Sequence, residues 1–280
     1  METIATWTAS DGYRGLWRHF EPPGTHRADI IYLHGIQSHG GWYGSSCQRL
    51  AGLGYRVGFL DRRGSGLNFH HRGDAPSWQR LVADVFEFRQ QFVGNPPRPC
   101  FLLAVSWGAK VAAAIAARWP WLFQGIILIG PGFFPQVAPP LATRLRILAA
   151  RLLRPAKQFP IPLNDPELFT ATAPAQAFLR DDALALRTAT ARLLVESVWL
   201  DRHLRGLARR LRLPTLLMLG EHDRIIHNGP TRRWVAGWNS PDVTLRVIPG
   251  GHHTLEFEAD AQSWFSHLAA WLETRALHSG

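Results

Sequence analysis

The sequence predicts an α/β fold, a mostly parallel central sheet flanked by helices on both faces and interrupted by a helical insertion. Apolar runs of strand length alternate with longer helical stretches in the first half and again near the end. Strands that are apolar throughout belong to parallel sheets covered on both sides. Between about Phe133 and Leu211 such runs vanish, eight prolines appear and the pattern turns helical. The chain of 280 residues, 46% hydrophobic and 19% charged with 25 Gly and 20 Pro, has a globular composition that excludes a disordered or collagen-like chain.

Strands are expected at Ala28–Leu33, Tyr55–Leu60, Cys100–Val105 and Gly125–Ile129, with helices over roughly Ser77–Gln91 and Trp107–Arg118. The alternation resumes with strands at Thr215–Leu219 and Val243–Ile248 and helices around Thr231–Trp238 and from about Ala261 to Ala276. Two changes of character in one chain indicate a discontinuous core, residues 1–132 and 212–280, carrying residues 133–211 as a helical cap or lid. Within that insertion Leu141, Leu145, Leu148 and Leu152 recur at helical spacing and give one apolar face. Arg144, Arg146, Arg151 and Arg154 surround it, no acid falls between Leu141 and Lys157, and a second basic run spans Arg202–Arg212. This pattern fits either a solvated helix face or a cap that makes peripheral contact with anionic lipid or guides an anionic substrate.

The net charge is +10, from 29 Arg and 2 Lys against 21 acids. A basic surface attracts anionic partners, but no zinc-finger or RNP-like motif accompanies the charge, so nucleic acid is not expected as a partner. The scarcity of Lys reads as compositional bias. The opening METIATWTASDGYRG lacks the basic and apolar regions of a signal peptide. The longest nearly apolar run, Phe101–Ala117, is too short and interrupted for a membrane span. Cys47 and Cys100, far apart and without a CxxC or His-rich companion, exclude a disulfide scaffold or cysteine zinc site and fit a reducing compartment. A soluble cytoplasmic protein is expected.

Four features fall where chemistry is placed on such a sheet. Ala104-Val105-Ser106-Trp107-Gly108 joins an apolar strand directly to a helix. A serine on that sharp turn projects its hydroxyl above the sheet, and small residues two positions either side let the backbones cross closely. The same serine would also serve as a helix N-cap. His34-Gly35-Ile36-Gln37 follows the first core strand, where a turn aims the Ile36 amide at Ser106; the second oxyanion-hole amide would be that of Trp107. His34 itself reads as a structural histidine. A serine nucleophile needs a base, and the base an orienting acid, both on loops after later strands. Glu221-His222-Asp223 supplies the acid as Asp223 or Glu221, and Gly251-His252-His253 supplies the base as one of two histidines. Trp42, Tyr43, Trp107, Phe133 and Phe134 flank the mouth of this site, either as an apolar acyl pocket or as packing between cap and core.

Taken together, the DG opening at Asp11-Gly12, HGIQSHGGWY (34–43), LDRRGSGLN (60–68), AVSWG (104–108), LGEHDRII (219–226) and GGHHTLEFE (250–258) resemble the α/β-hydrolases. Among these, the similarity is to the monoacylglycerol lipase and lysophospholipase-like serine hydrolases. The likeness covers most of the chain and is weakest in the insertion, which matches the family's variable cap. It implies Ser106 as nucleophile, Asp223 as acid, His253 as base in the closing G-x-x-H-x-L-x-x-E pattern, and the Ile36 and Trp107 amides as oxyanion hole. Ala104 departs from the usual elbow glycine, and Gln37 stands where a second small residue often follows HG, reshaping the acyl side of the pocket. The implied activity is hydrolysis of a carboxylic ester, of monoacylglycerol, lysophospholipid or short-to-medium acyl type, with no metal or organic cofactor. The same residues would also serve a thioesterase, an amidase or a carbon–carbon hydrolase. A non-catalytic small-ligand binder of the same fold has no chemical need for them. The elbow lacks the carboxylate that dehalogenase chemistry requires.

Overall fold

A computed structural model describes residues 2–24, 26–94 and 98–276. The chain begins with β1 (Glu2–Thr8) and β2 (Arg14–Phe20), then β3 (Ala28–Leu33), α1 (Gly44–Gly52), β4 (Tyr55–Leu60), α2 (Trp78–Phe92), β5 (Cys100–Val105), α3 (Gly108–Arg118) and β6 (Gly125–Ile129). Next come α4 (Leu141–Leu153), β7 (Gln158–Pro160), α5 (Ala173–Asp181), β8 (Thr188–Thr190) and α6 (Ala191–Arg205). The chain closes with β9 (Thr215–Gly220), α7 (Asn228–Ala236), β10 (Val243–Ile248) and α8 (Ala261–Ala276). The main sheet runs β1-β2-β4-β3-β5-β6-β9-β10. β2 pairs antiparallel with β1 and β4, and every other pairing in it is parallel.

The four strands with apolar runs at the centre, β3, β5, β6 and β9, are buried at every position. Helices cover both faces, so no alternation survives in their sequence. α3 is buried from Gly108 to Ala117, and its run of alanines lets the helix lie close to the sheet. Lys110, on that buried helix, reaches Asp201 of α6 at 2.8 Å and so ties the core to the segment between β6 and β9.

The β1–β2 hairpin was not foreseen. β1 is an edge strand mostly open to solvent, so it lacks a continuous apolar run, and Gly12 turns the hairpin at φ +82°. α7 starts at Asn228, ahead of the predicted Thr231; Pro230 is tolerated because first-turn amides have no intrahelical acceptor. The segment between β6 and β9 is helical as expected but also holds the antiparallel pair β7–β8, three residues each and too short to leave a periodic signal. The leucine face of α4 points outward: Leu141 is 69% and Leu152 84% exposed, and Leu145 and Leu148 are exposed as well. Ile147 and Ala150 seat the helix against Phe159, Ala191 and Val195. Among the described residues no helix is long and apolar enough to cross a membrane.

Arg63 fixes the hairpin to the core. It donates to both carboxylate oxygens of Asp84 on α2 at 2.6 Å and to Asp11 in the hairpin turn at 2.9 Å. Asp84 also accepts from Arg80 at 2.9 Å. Removing Arg63 would leave the buried Asp84 carboxylate with Arg80 as its one remaining cation contact among the described residues and take the hairpin's Asp11 off the core. Arg63→Met is therefore expected to lower unfolding free energy by about 3 kcal/mol or more, measured by urea denaturation against wild type.

Candidate active site

The site lies at the carboxyl ends of β3, β5, β9 and β10. β5 ends at Val105 and α3 begins at Gly108, so Ser106 must reverse the chain in two residues. It does so in the left-handed region, at φ +52°, a conformation that costs a non-glycine residue about 1–3 kcal/mol. The turn is anchored by Ser106 N–H donating to Ile129 O at 3.0 Å and by Gly132 N–H donating to Ser106 O at 2.8 Å. Gly108 is required by proximity, since a Cβ there would lie 2.4 Å from the His34 carbonyl oxygen.

Ser106 Oγ lies 2.9 Å from His253 Nε2, and His253 Nδ1 lies 2.7 Å from Asp223 Oδ2. An ionised carboxylate only accepts, so Nδ1 carries the ring proton and Nε2 is left to accept from the serine hydroxyl. Asp223 Oδ1 accepts from Ile225 N–H at 2.8 Å and Ile226 N–H at 3.1 Å, which fixes the carboxylate's rotation. Both ring and carboxylate are buried. The alternatives left open by the sequence are engaged elsewhere. Glu221 accepts from Gly250 N–H, and His252 pairs with Glu258.

The turn after β3 packs directly on the serine, because a Cβ on Gly35 would stand 3.2 Å from Ser106 Cβ. Gly35 N–H donates to Ser38 Oγ at 2.9 Å. The Ile36 and Trp107 amides have no acceptor among the described residues, and so remain available to a ligand. His34 is structural, as its sequence position indicated. Its Nε2 accepts the Arg62 N–H at 2.9 Å, so Nδ1 carries the proton and donates to Gly35 O at 2.7 Å. Burial first, then the neighbouring Arg62 charge, push its pKa well below the usual histidine range.

The other predicted site residues divide by their contacts. Gln37 is buried, its carbonyl accepts from Leu186 N–H at 2.9 Å, and its Nε2 has no acceptor among the described residues. The Trp42 ring meets Phe169 edge-on at 5.7 Å, and Phe169 meets the His253 ring at 6.1 Å. Tyr43 supports the turn from beneath, donating to Ser38 Oγ and stacking on Phe59. Phe133 and Phe134 both pack on Trp234 of α7. Sequence reasoning missed Phe169, which belongs to no motif, and Gln136, whose Nε2 donates to Asp223 O at 3.1 Å. Among the described residues no group of His, Cys, Asp and Glu side chains is arranged to hold a metal ion.

The segment between β6 and β9 grips this site through Asp182, another residue without a sequence signal. His39 Nδ1 accepts the Gly41 N–H, so its Nε2 donates to Asp182 Oδ2 at 2.9 Å, and Trp42 Nε1 donates to the same oxygen at 2.6 Å. Burial raises the Asp182 pKa, but these two hydrogen bonds outweigh it and hold the group down to about 2. A depressed carboxyl pKa contributes stability above its unfolded value, near 3.9, and loses it as pH falls through the folded one. Asp182→Asn should therefore lower Tm at pH 6, and the gap to wild type should narrow below about pH 4. Melting curves of both proteins across that range test this; a gap independent of pH refutes it.

The model of the family described as serine aminopeptidase, S33, matches residues 24–260. Mouse monoglyceride lipase is 28% identical, over 93% of this chain and 89% of its own length. A monoacylglycerol lipase of Mycolicibacterium smegmatis is 26% identical, over 93% of each. Among solved structures, a soluble variant of the Saccharomyces cerevisiae monoglyceride lipase with a substrate analogue superposes with a TM-score of 0.85 at 18% identity, covering 97% of this chain and 94% of that one.

Proposed function

Because the chain belongs to the serine aminopeptidase, S33, family, we propose that it is a serine hydrolase cleaving the carboxylic ester of a lipid-like substrate through an acyl-enzyme. The observation that carries this reading is His253 bridging Ser106 and Asp223 at 2.9 and 2.7 Å on a left-handed elbow. In the proposed cycle His253 Nε2 takes the Ser106 proton as Oγ attacks the ester carbonyl. The tetrahedral oxyanion settles between the Ile36 and Trp107 amides, and His253 returns the proton to the departing alkoxide. Water then repeats the sequence on the acyl group. Each oxyanion donor is worth about 3 kcal/mol in such a cycle. Asp223 keeps the imidazole in the tautomer that accepts from serine.

In this reading residues 133–211 form a cap over the core of residues 1–132 and 212–280. The named relatives are lipases of monoacylglycerol, and the path of rings from Trp42 through Phe169 to His253 suits an acyl chain. Gln37 would border that chain, with Tyr43, Phe133 and Phe134 shaping the pocket from behind. The outward leucines of α4, among arginines with no acid from Leu141 to Lys157, suit peripheral contact with an anionic lipid surface.

A p-nitrophenyl ester series from acetate to palmitate tests the activity. Turnover by wild type that falls at least about 10³-fold in Ser106→Ala, together with fluorophosphonate labelling at Ser106, is the expected result. A folded wild type that hydrolyses no ester of the series overturns it. For the cap, sedimentation with phosphatidylglycerol vesicles should exceed that with phosphatidylcholine vesicles. It should fall several-fold in the Leu145→Glu/Leu152→Glu double variant.

A further inference from the structure

Arg62 is a half-buried cation that lies near the buried carboxylate of Asp61 but makes no hydrogen bond to it. Its guanidinium contacts no carboxylate among the described residues; it donates to Gly35 O at 3.2 Å, Ile36 O at 3.1 Å and Ser65 Oγ at 2.7 Å. The guanidinium carbon lies 4.7 Å from the centre of the Trp107 ring. Burial lowers its pKa to about 10, which leaves it charged at neutral pH. Withdrawing a charge from water is costly, and Arg62 meets that cost with three neutral acceptors and the neighbouring Asp61 charge and without a direct ion pair. Neighbouring arginines at similar depth, Arg63 and Arg56, each face an aspartate.

The position of the two carbonyls is informative. Gly35 C=O and Ile36 N–H are the two ends of one peptide unit. Gly35 O accepts from Arg62 Nη1 and from His34 Nδ1 together. Donors on the oxygen of a peptide draw electron density away from its nitrogen and make the N–H a stronger donor, as chains of hydrogen bonds polarise one another. The same guanidinium lies over the ring of Trp107, the residue that supplies the other unpaired amide.

We propose that Arg62 is a positioning residue that charges the oxyanion hole from behind. It polarises the Gly35–Ile36 peptide and locks its orientation, so that the field of the guanidinium favours the tetrahedral oxyanion as it forms. The ground-state ester, being neutral, gains little from it, and the effect falls on kcat rather than KM. This rests on the ester-hydrolase reading for its consequence in turnover, but not for its consequence in the resting protein.

The test uses Arg62→Lys, which keeps a charge but loses the fork, and Arg62→Met, which keeps the bulk but loses the charge. In Arg62→Met, kcat should fall about 10- to 100-fold, somewhat less than removal of an oxyanion donor, with KM within about threefold. Affinity for a trifluoromethyl ketone, which mimics the oxyanion, should fall by the same factor as kcat. Arg62→Lys should lie between the two. Independently of turnover, the Ile36 amide proton should move upfield in the ¹⁵N–¹H spectrum of Arg62→Met, and by less in Arg62→Lys. If Arg62→Met does not fold, the Lys variant carries both measurements. Equal losses in both variants with an unmoved Ile36 resonance would mean a purely structural role and overturn the proposal. A wild type inactive on every ester removes the ester reading and leaves the amide shift to decide this one.

Discussion

A methyl group at position 108 would sit 2.4 Å from the carbonyl oxygen of His34 and 2.9 Å from that of Leu33. That approach of α3 to the end of β3 sets the geometry of everything above the sheet. It forces Ser106 into the left-handed region and brings Gly35 against the serine side chain. With those backbones fixed, the Ile36 and Trp107 amides are left beside the hydroxyl without acceptors among the described residues. The other half of the constellation arrives from β9 and β10 under a similar constraint, since a Cβ on Gly220 would stand 2.1 Å from the His252 carbonyl. Thus His253 and Asp223 are brought together by the packing of the loop that follows each strand. The geometry of the site is a by-product of close backbone packing, which side chains then refine.

What could be read from the sequence follows burial. β3, β5, β6, β9 and β10 lie within a residue of their expected limits, because four of them are buried at every position and nearly all apolar and β10 is bounded by turn residues. The hairpin β1–β2 left no such run, since each strand exposes one face or an edge. The same contrast governs the site. Ser106, Asp223 and His253 stand next to strand ends, where position and chemistry coincide. Phe169, Gln136 and Asp182 lie in the segment between β6 and β9, where only the folded chain tells which ring meets His253 or which carboxylate meets His39. Arg62 lay within the quoted LDRRGSGLN run, yet one arginine of that pair serves an ion network and the other two carbonyls. No spacing rule separates them.

The large excess of arginine also acquires a structural sense. Several arginines act as fasteners of backbone carbonyls. Arg56 holds Phe92 O as well as Asp29, Arg72 holds Gly66 O, Leu184 O and Ala185 O, and Arg187 holds Leu179 O and Arg180 O. A planar guanidinium spans two acceptors at fixed spacing, whereas an ammonium is a point charge. Composition that reads as bias in the linear chain therefore carries part of the tertiary wiring, notably where the segment between β6 and β9 meets the core.

Cys47 and Cys100 are both buried and unpaired, and burial raises both thiols, Cys100 to about 12. Neither presents a thiolate to the outside, so both are shielded from thiol–disulfide exchange in the folded chain. The same concealment makes the protein a clean background for thiol chemistry. A cysteine placed on the outer face of α4 would be the one reactive thiol of the native molecule, ready to carry a fluorophore or spin label that reports on that helix alone.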